Sequence, residues 1–232
     1  MPPRGKLIVF EGIDGSGKRT QAEALAREFS ARGIGYAQID FPRYNGFFGR
    51  LVAQFLNGEF GPLEAVDPHF SALLYANDRL EAKPRIDAEL AAGKILLADR
   101  YIGSNLAHQG ARVAPDKRAA FLDWLRELEY KVYGLPKEDL VVYLRVPPAD
   151  AHRLIGKKAS RGYTHLRHDL QESDTTHLQK ASEIYDELAR QSHWVRIDCA
   201  SADGALLTPA AIHQQIWAAI EARIGAATLS RS

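Results

Sequence analysis

A chain of 232 residues can bury a substantial core in one domain, and 30 Lys and Arg against 29 Asp and Glu leave a formal net charge of only +1. That balance excludes a global electrostatic pull towards nucleic acid polymers or an acidic membrane surface, so polyanion binding must come from local clusters and suits the phosphates of a small molecule. Cys199 is the single cysteine, which excludes an internal disulfide framework and implies a reducing compartment; without an apolar leader or a bilayer-length apolar run, the expected location is cytoplasmic.

Taken in order, Leu7 to Glu11 is an apolar, β-favouring run that turns through Gly12-Ile13-Asp14-Gly15-Ser16-Gly17-Lys18-Arg19-Thr20 into a helical pattern of Ala22, Leu25, Ala26 and Phe29. The spacing G-x4-G-K is that of a nucleoside-triphosphate loop. Glycines let the main chain curl around phosphate oxygens, the helix contributes its positive end, and Lys18 adds a mobile charge. Where such loops usually carry a Ser or Thr that touches Mg²⁺, this chain has Arg19. The ion then falls to Thr20, to a carboxylate such as Asp14 or Asp99, or mainly to phosphates and water.

Gly33 closes that helix, and Tyr36 to Asp40 reads as a second, parallel strand. Phe41-Pro42-Arg43-Tyr44 leaves its end on the same rim as the phosphate loop. Phe47 to Leu56 is predicted helical, and a long helix follows from about Pro68 to Ala92, with Phe70, Leu73, Leu74, Ala76 and Leu80 as an apolar stripe assigned mostly to the core. Tyr75, Asp78 and Arg79 share a face of it. Lys94 to Asp99 is a third strand ending in a carboxylate, followed by Arg100 and a turn into a helix that carries Ser104, Asn105, His108 and Gln109. Pro115 to Tyr133 reads as one helix, Leu140 to Arg145 as a strand, and Pro148 to Ile155 as a short helix. The basic, glycine-punctuated stretch Gly156 to Arg167 is read as a flap able to fold over bound triphosphate. A helix through Leu188, a strand at Trp194 to Asp198 and a helix at Pro209 to Ile224 complete the pattern. The expectation is an α/β fold with a five-stranded parallel sheet flanked by helices: one domain over 1–225, a lid at about 156–172, and a frayed tail at 226–232.

Glu11-Gly12-Ile13-Asp14-Gly15-Ser16-Gly17-Lys18, Phe41-Pro42-Arg43-Tyr44, Asp78-Arg79, Asp99-Arg100-Tyr101-Ile102-Gly103-Ser104-Asn105 and Gln109-Gly110, in that order and spacing, resemble thymidylate kinases, and the resemblance reaches to about Leu188. It implies the nucleoside monophosphate kinase fold, a homodimer, and transfer of the γ-phosphoryl of ATP to deoxythymidine monophosphate (dTMP) with Mg²⁺ as cofactor. It further implies ATP contacts from Gly12 through Thr20 and from Arg153. Lys18 holds ATP phosphates and Arg100, assisted by Arg43, the acceptor phosphate, and Asp14 lies between donor and acceptor near the acceptor sugar hydroxyl or Mg²⁺, with Asp99 as a second metal candidate. On the acceptor side it assigns Phe41 and Tyr75 to flank the base, Arg79 to donate to a base carbonyl, Asn105 and Gln109 to the base edge, and Arg43 and Tyr44 to the same pocket. His108 stands where the family usually has a Tyr set against the deoxyribose. Gly15 follows Asp14 where some members carry a catalytic arginine, so that role passes to Arg161 of the flap, with Lys157 and Lys158 beside it. Two other readings stay open: a deoxynucleoside kinase using Glu11 as base, and a nucleotide sensor without turnover.

Overall fold

The computed structural model describes residues 4–155, 175–201, 203–225 and 229. Five strands, β1 (Lys6–Glu11), β2 (Tyr36–Asp40), β3 (Ile95–Asp99), β4 (Leu140–Arg145) and β5 (Trp194–Asp198), form one parallel sheet in the order β2-β3-β1-β4-β5. The helices are α1 (Lys18–Ala31), α2 (Phe47–Leu56), α3 (Pro68–Ala91), α4 (Ile102–Gly110), α5 (Pro115–Arg126), α6 (Pro148–Ile155), α7 (Thr175–Leu188) and α8 (Pro209–Ile224). This is the predicted α/β architecture. Central β1 is covered on both faces, as its unbroken apolar run requires, and Leu7, Ile8, Val9 and Phe10 are fully buried. At roughly 1.5–3 kcal/mol for each such side chain, that burial gives the loop after β1 a rigid floor.

Parallel strands bring every βα loop to one edge. Phe10 pairs with Asp99 and Asp40 pairs with Asp99 in register, so the phosphate loop, Phe41 and Arg100 emerge side by side. β1 lies between β3 and β4, whose connections run to opposite sides, and the resulting crevice receives the site. Around the sheet lies the main apolar core. A second, smaller cluster of Val52, Phe55, Leu56, Leu63, Val66 and Leu74 joins α2, the short turn Leu63–Ala65 and the start of α3.

Two expectations are corrected. Phe70 is 46% exposed and Leu73 and Leu80 are only partly buried, whereas the face of α3 turned inwards includes Ser71, Asp78 and Arg79, so polar side chains lie where the apolar stripe was assigned. The helix expected over Pro115 to Tyr133 is α-helical only to Arg126 and then widens into a π-helical turn, Glu127–Val132, in which Tyr133 N–H bonds the Leu128 carbonyl five residues back. Of the stretch 226–232 read as a tail, Leu229 alone is among the described residues, and it is buried against the main core. The lid at 156–172, with Lys157, Lys158 and Arg161, lies outside the described residues.

Candidate active site

The loop after β1 is built by backbone geometry that side chains would forbid. Gly12 and Gly15 have φ of 143° and 84°, and a Cβ on them would stand 2.6 Å from the Leu144 carbonyl oxygen and 2.3 Å from that of Ala151. The loop is thus pressed between β1, the end of β4 and α6. Lys18, at the first position of α1, is buried and donates to the Gly12 and Ile13 carbonyls at 2.9 Å. Its ammonium therefore lies inside the loop's curl. Arg19 points elsewhere: it is largely exposed and donates to Glu23 at 2.9 Å. Arg153, on α6, is also exposed and pairs with Asp150.

Beside the loop is a cavity, open to solvent on one side, lined by Asp14, Phe41, Pro42, Tyr44, Leu56, Tyr75, Arg79, Arg100, Ser104, Asn105, His108 and Gln109. Phe41, Tyr44, Tyr75, Arg79, Arg100, Asn105, His108 and Gln109, expected at one site, are brought together from the ends of β2 and β3 and from α3 and α4. Arg43 is not among the lining side chains. Its backbone N–H and Nε donate to the Asp78 carboxylate at 2.8 and 3.2 Å, and its Nη2 pairs with Glu81 at 3.0 Å, which ties the turn after β2 to α3.

Arg100 joins loop and cavity. Its Nη2 donates to Asp14 Oδ1 at 2.6 Å and its Nη1 to Ser104 Oγ at 3.0 Å. Burial opposes its charge most, but Asp14, Tyr185, Asp99 and Glu11 together outweigh it, with Asp14 foremost, and the guanidinium pKa stands well above its ordinary value. His108 moves the other way. Burial, then the charge of Arg100 and the neighbouring His177, push it well below the usual imidazole range, so the ring is neutral. Its Nε2 faces Arg100 Nη1 at 3.5 Å and must be the acceptor; Nδ1 then carries the proton and donates to His177 Nε2, 3.3 Å away on α7.

The amides at the cavity's inner end are held from behind. Gln109 Oε1 accepts from Ser71 Oγ and Arg112 Nη1, both at 2.8 Å, so its Nε2 turns away and has no partner among the described residues. Asn105 Nδ2 donates to the Ala72 carbonyl at 3.0 Å and to Glu129 at 2.9 Å, leaving Oδ1 without a partner among the described residues. Arg79 is fully buried and forms a two-pronged pair with Glu129, Nε to Oε2 at 2.5 Å and Nη2 to Oε1 at 2.7 Å. Burial works against that guanidinium too, but Glu129 keeps its pKa above normal.

Sequence reasoning missed Glu129, Arg112 and His177, for single charged or polar residues in helical segments carry no local signal. Ser104 lay inside a quoted block without an assigned role. Glu11 was entertained as a base, but both its oxygens are occupied: Oε1 accepts from the N–H groups of Tyr101 and Ser104 at 2.9 Å, and Oε2 from Ser104 Oγ at 2.6 Å and the Tyr185 hydroxyl at 2.9 Å. It is fully buried and pins the start of α4.

Residues 10–206 match the family model described as thymidylate kinase. The thymidylate kinase of Mycobacterium tuberculosis is 35% identical over 186 residues, covering 80% of this chain and 86% of that protein, and the human thymidylate kinase is 30% identical over 228 residues, 97% and 94%. A solved thymidylate kinase from Candida albicans superposes with a TM-score of 0.72 over 94% of this chain and 92% of its own, at 24% identity.

Proposed function

The chain belongs to the thymidylate kinase family and transfers the γ-phosphoryl of ATP to dTMP, and we propose that the Gly12–Thr20 loop holds the donor while the cavity lined by Arg100 holds the acceptor. The observation that carries this division is the Asp14–Arg100 pair, 2.6 Å long, where the loop meets the cavity. Transfer between two bound nucleotides needs in-line positioning and charge neutralisation more than covalent help from the protein. Arg100 offers a planar fork to the acceptor phosphate, already charged and already aimed by Asp14. Lys18 reaches the donor phosphates from inside the loop, and the loop N–H groups supply fixed dipoles there.

In the cavity, Phe41 and Tyr75 flank a planar base. Arg79 supplies a donor to a ring carbonyl and Asn105 Oδ1 an acceptor to a ring N–H, a pairing complementary to thymine; Gln109 Nε2 adds a second donor. Cytosine offers the opposite polarity at that edge, and its amino group would leave two donors facing each other. The occupied oxygens of Glu11 speak against a nucleoside kinase that would use it as base.

The residues present suit Mg²⁺. Asp99 Oδ1 is buried without a hydrogen-bond partner among the described residues, at the end of the strand beside the loop, and Asp14 provides a second carboxylate. No group of three or more metal-binding side chains occurs among the described residues, so phosphates and water would complete the shell, as a hard, tightly hydrated cation prefers. When bound, the ion offsets the negative charge between the phosphates. Arg19 is turned to Glu23, which favours these carboxylates over the usual hydroxyl position. We assign the catalytic arginine to Arg161, with Lys157, Lys158 and Arg153 as accompanying charges. A homodimer in the cytoplasm completes the reading, supported by the exposed aromatic residues Phe47, Phe60 and Phe70 and by the solitary reduced Cys199. No helix among the described residues is long and apolar enough to cross a membrane.

The test is ADP formation from ATP and Mg²⁺ with thymidine and a panel of deoxynucleoside monophosphates. Selective turnover with dTMP is expected. Turnover with thymidine alone, or ATP binding without turnover, overturns the reading.

A further inference from the structure

Glu129 lies behind the cavity wall, fully buried, in the π-helical turn that follows α5. It touches two side chains that line the cavity and, through them, sets what the cavity presents. A carboxylate only accepts hydrogen bonds. Glu129 Oε1 and the Ala72 carbonyl both face Asn105, so the amide must turn Nδ2 towards them and Oδ1 the other way. The same carboxylate takes Nε and Nη2 of Arg79, fixing the guanidinium plane and leaving Nη1 outside the fork.

We propose that Glu129 is the residue that sets base specificity without touching the base: its acceptor-only chemistry locks an acceptor (Asn105) beside a donor (Arg79). This rests on the acceptor being a thymine nucleotide, whose N3–H and O4 match that order, whereas cytosine has an acceptor at N3 and an amino group at C4. Were residue 129 an amide, its NH₂ could donate to Asn105 Oδ1. Asn105 would then have two competing orientations, Nδ2 on the Ala72 carbonyl as now or Oδ1 on the new NH₂, and the second offers its own NH₂ to the base, which weakens the discrimination against cytosine. Packing alone does not predict this polarity effect, because Glu and Gln have nearly the same shape.

The experiment compares kcat and KM for dTMP, dCMP and ATP in the wild type, Glu129→Gln and Glu129→Asp, with thermal unfolding as a folding control. In Glu129→Gln the dTMP-to-dCMP ratio of kcat/KM should fall at least about tenfold, the worth of one redirected hydrogen bond in a buried site. The fall should come from a higher KM for dTMP and a lower KM for dCMP, with the KM for ATP unmoved. Glu129→Asp keeps acceptor-only chemistry on a shorter arm, so it should raise the KM for dTMP while preserving the ratio; should the Gln variant not fold, the Asp variant decides. An unchanged ratio in folded Glu129→Gln overturns the proposal, as does equal loss of selectivity in Glu129→Asp. A rise in the ATP and dTMP constants together also overturns it, by showing a merely structural role. A wild type that does not prefer dTMP would instead overturn the assignment of the acceptor, and the inference with it.

Discussion

Arg100 has φ of 67°, the left-handed region that costs a residue other than glycine roughly 1–2 kcal/mol. The strain stands between β3 and α4, where the side chain turns back to Asp14, Ser104 and His108 instead of out to solvent. That conformation is held by its neighbours, so Arg100→Lys should fold normally yet lose the two-pronged contact. We expect kcat/KM for dTMP to drop about 10²-fold or more with the KM for ATP little changed, measured by steady-state kinetics. For Arg161→Ala the split runs differently, with turnover falling far more than ATP affinity; an unchanged turnover number removes Arg161 from the mechanism. Most of the side chains that line the cavity were legible because they occur in compact blocks: Phe41 to Tyr44 and Arg100 to Gln109 follow strand ends that topology must bring to one rim, whereas Tyr75 and Arg79, within α3, were legible only through the family resemblance. Glu129 and Arg112 were not. Each acts from behind through a neighbouring side chain, and a sequence gives no sign of a contact between residues 50 positions apart such as Arg79 and Glu129.

Among the elements, strands and helices followed from apolar runs and 3.6-residue periodicity, and the helices at Phe47–Leu56 and Pro209–Ile224 fall where that period places them. Periodicity failed in two places. It cannot register a widening from α to π geometry, because the residues on either side still look helical. Nor could it recognise that α3 turns Asp78 and Arg79 inwards, since each is buried by a partner on another element. Just beyond the π turn, Glu138 is buried and accepts from the Tyr130 hydroxyl at 2.8 Å. Burial raises its pKa from 4.5 to about 7. Between those values the folded chain binds the proton more tightly than the unfolded chain, so Glu138 favours the fold fully below pH 4.5, and that contribution is lost as pH rises through 7. The loss amounts to at most about 3 kcal/mol. Glu138→Gln should therefore raise Tm relative to the wild type at pH 8 and lose that advantage at pH 5, read by thermal unfolding at the two pH values.

At the scale of the whole molecule, α2 and α3 leave Phe47 and Phe70 more than 40% exposed, with Phe60 packed edge-on against Phe70 at a ring separation of 5.9 Å. If this face is where two copies meet, Phe70→Glu should shift sedimentation from dimer to monomer, because a charge cannot be buried unpaired at an interface core. Sedimentation unchanged by the substitution would place the contact elsewhere. The two apolar clusters carry a different consequence. Tyr44, Leu56 and Tyr75 reach the nucleotide cavity from the small cluster, Phe41 from the main one, so an occupant rests on both. Without it, we expect α2 and its cluster to open while the sheet stays shut, as a separate cooperative unit read by native-state amide exchange. With acceptor present at 100 times its dissociation constant, any opening that releases it costs about 2.7 kcal/mol more. An acceptor held where we propose it would thus merge two folding units into one for as long as it stays bound.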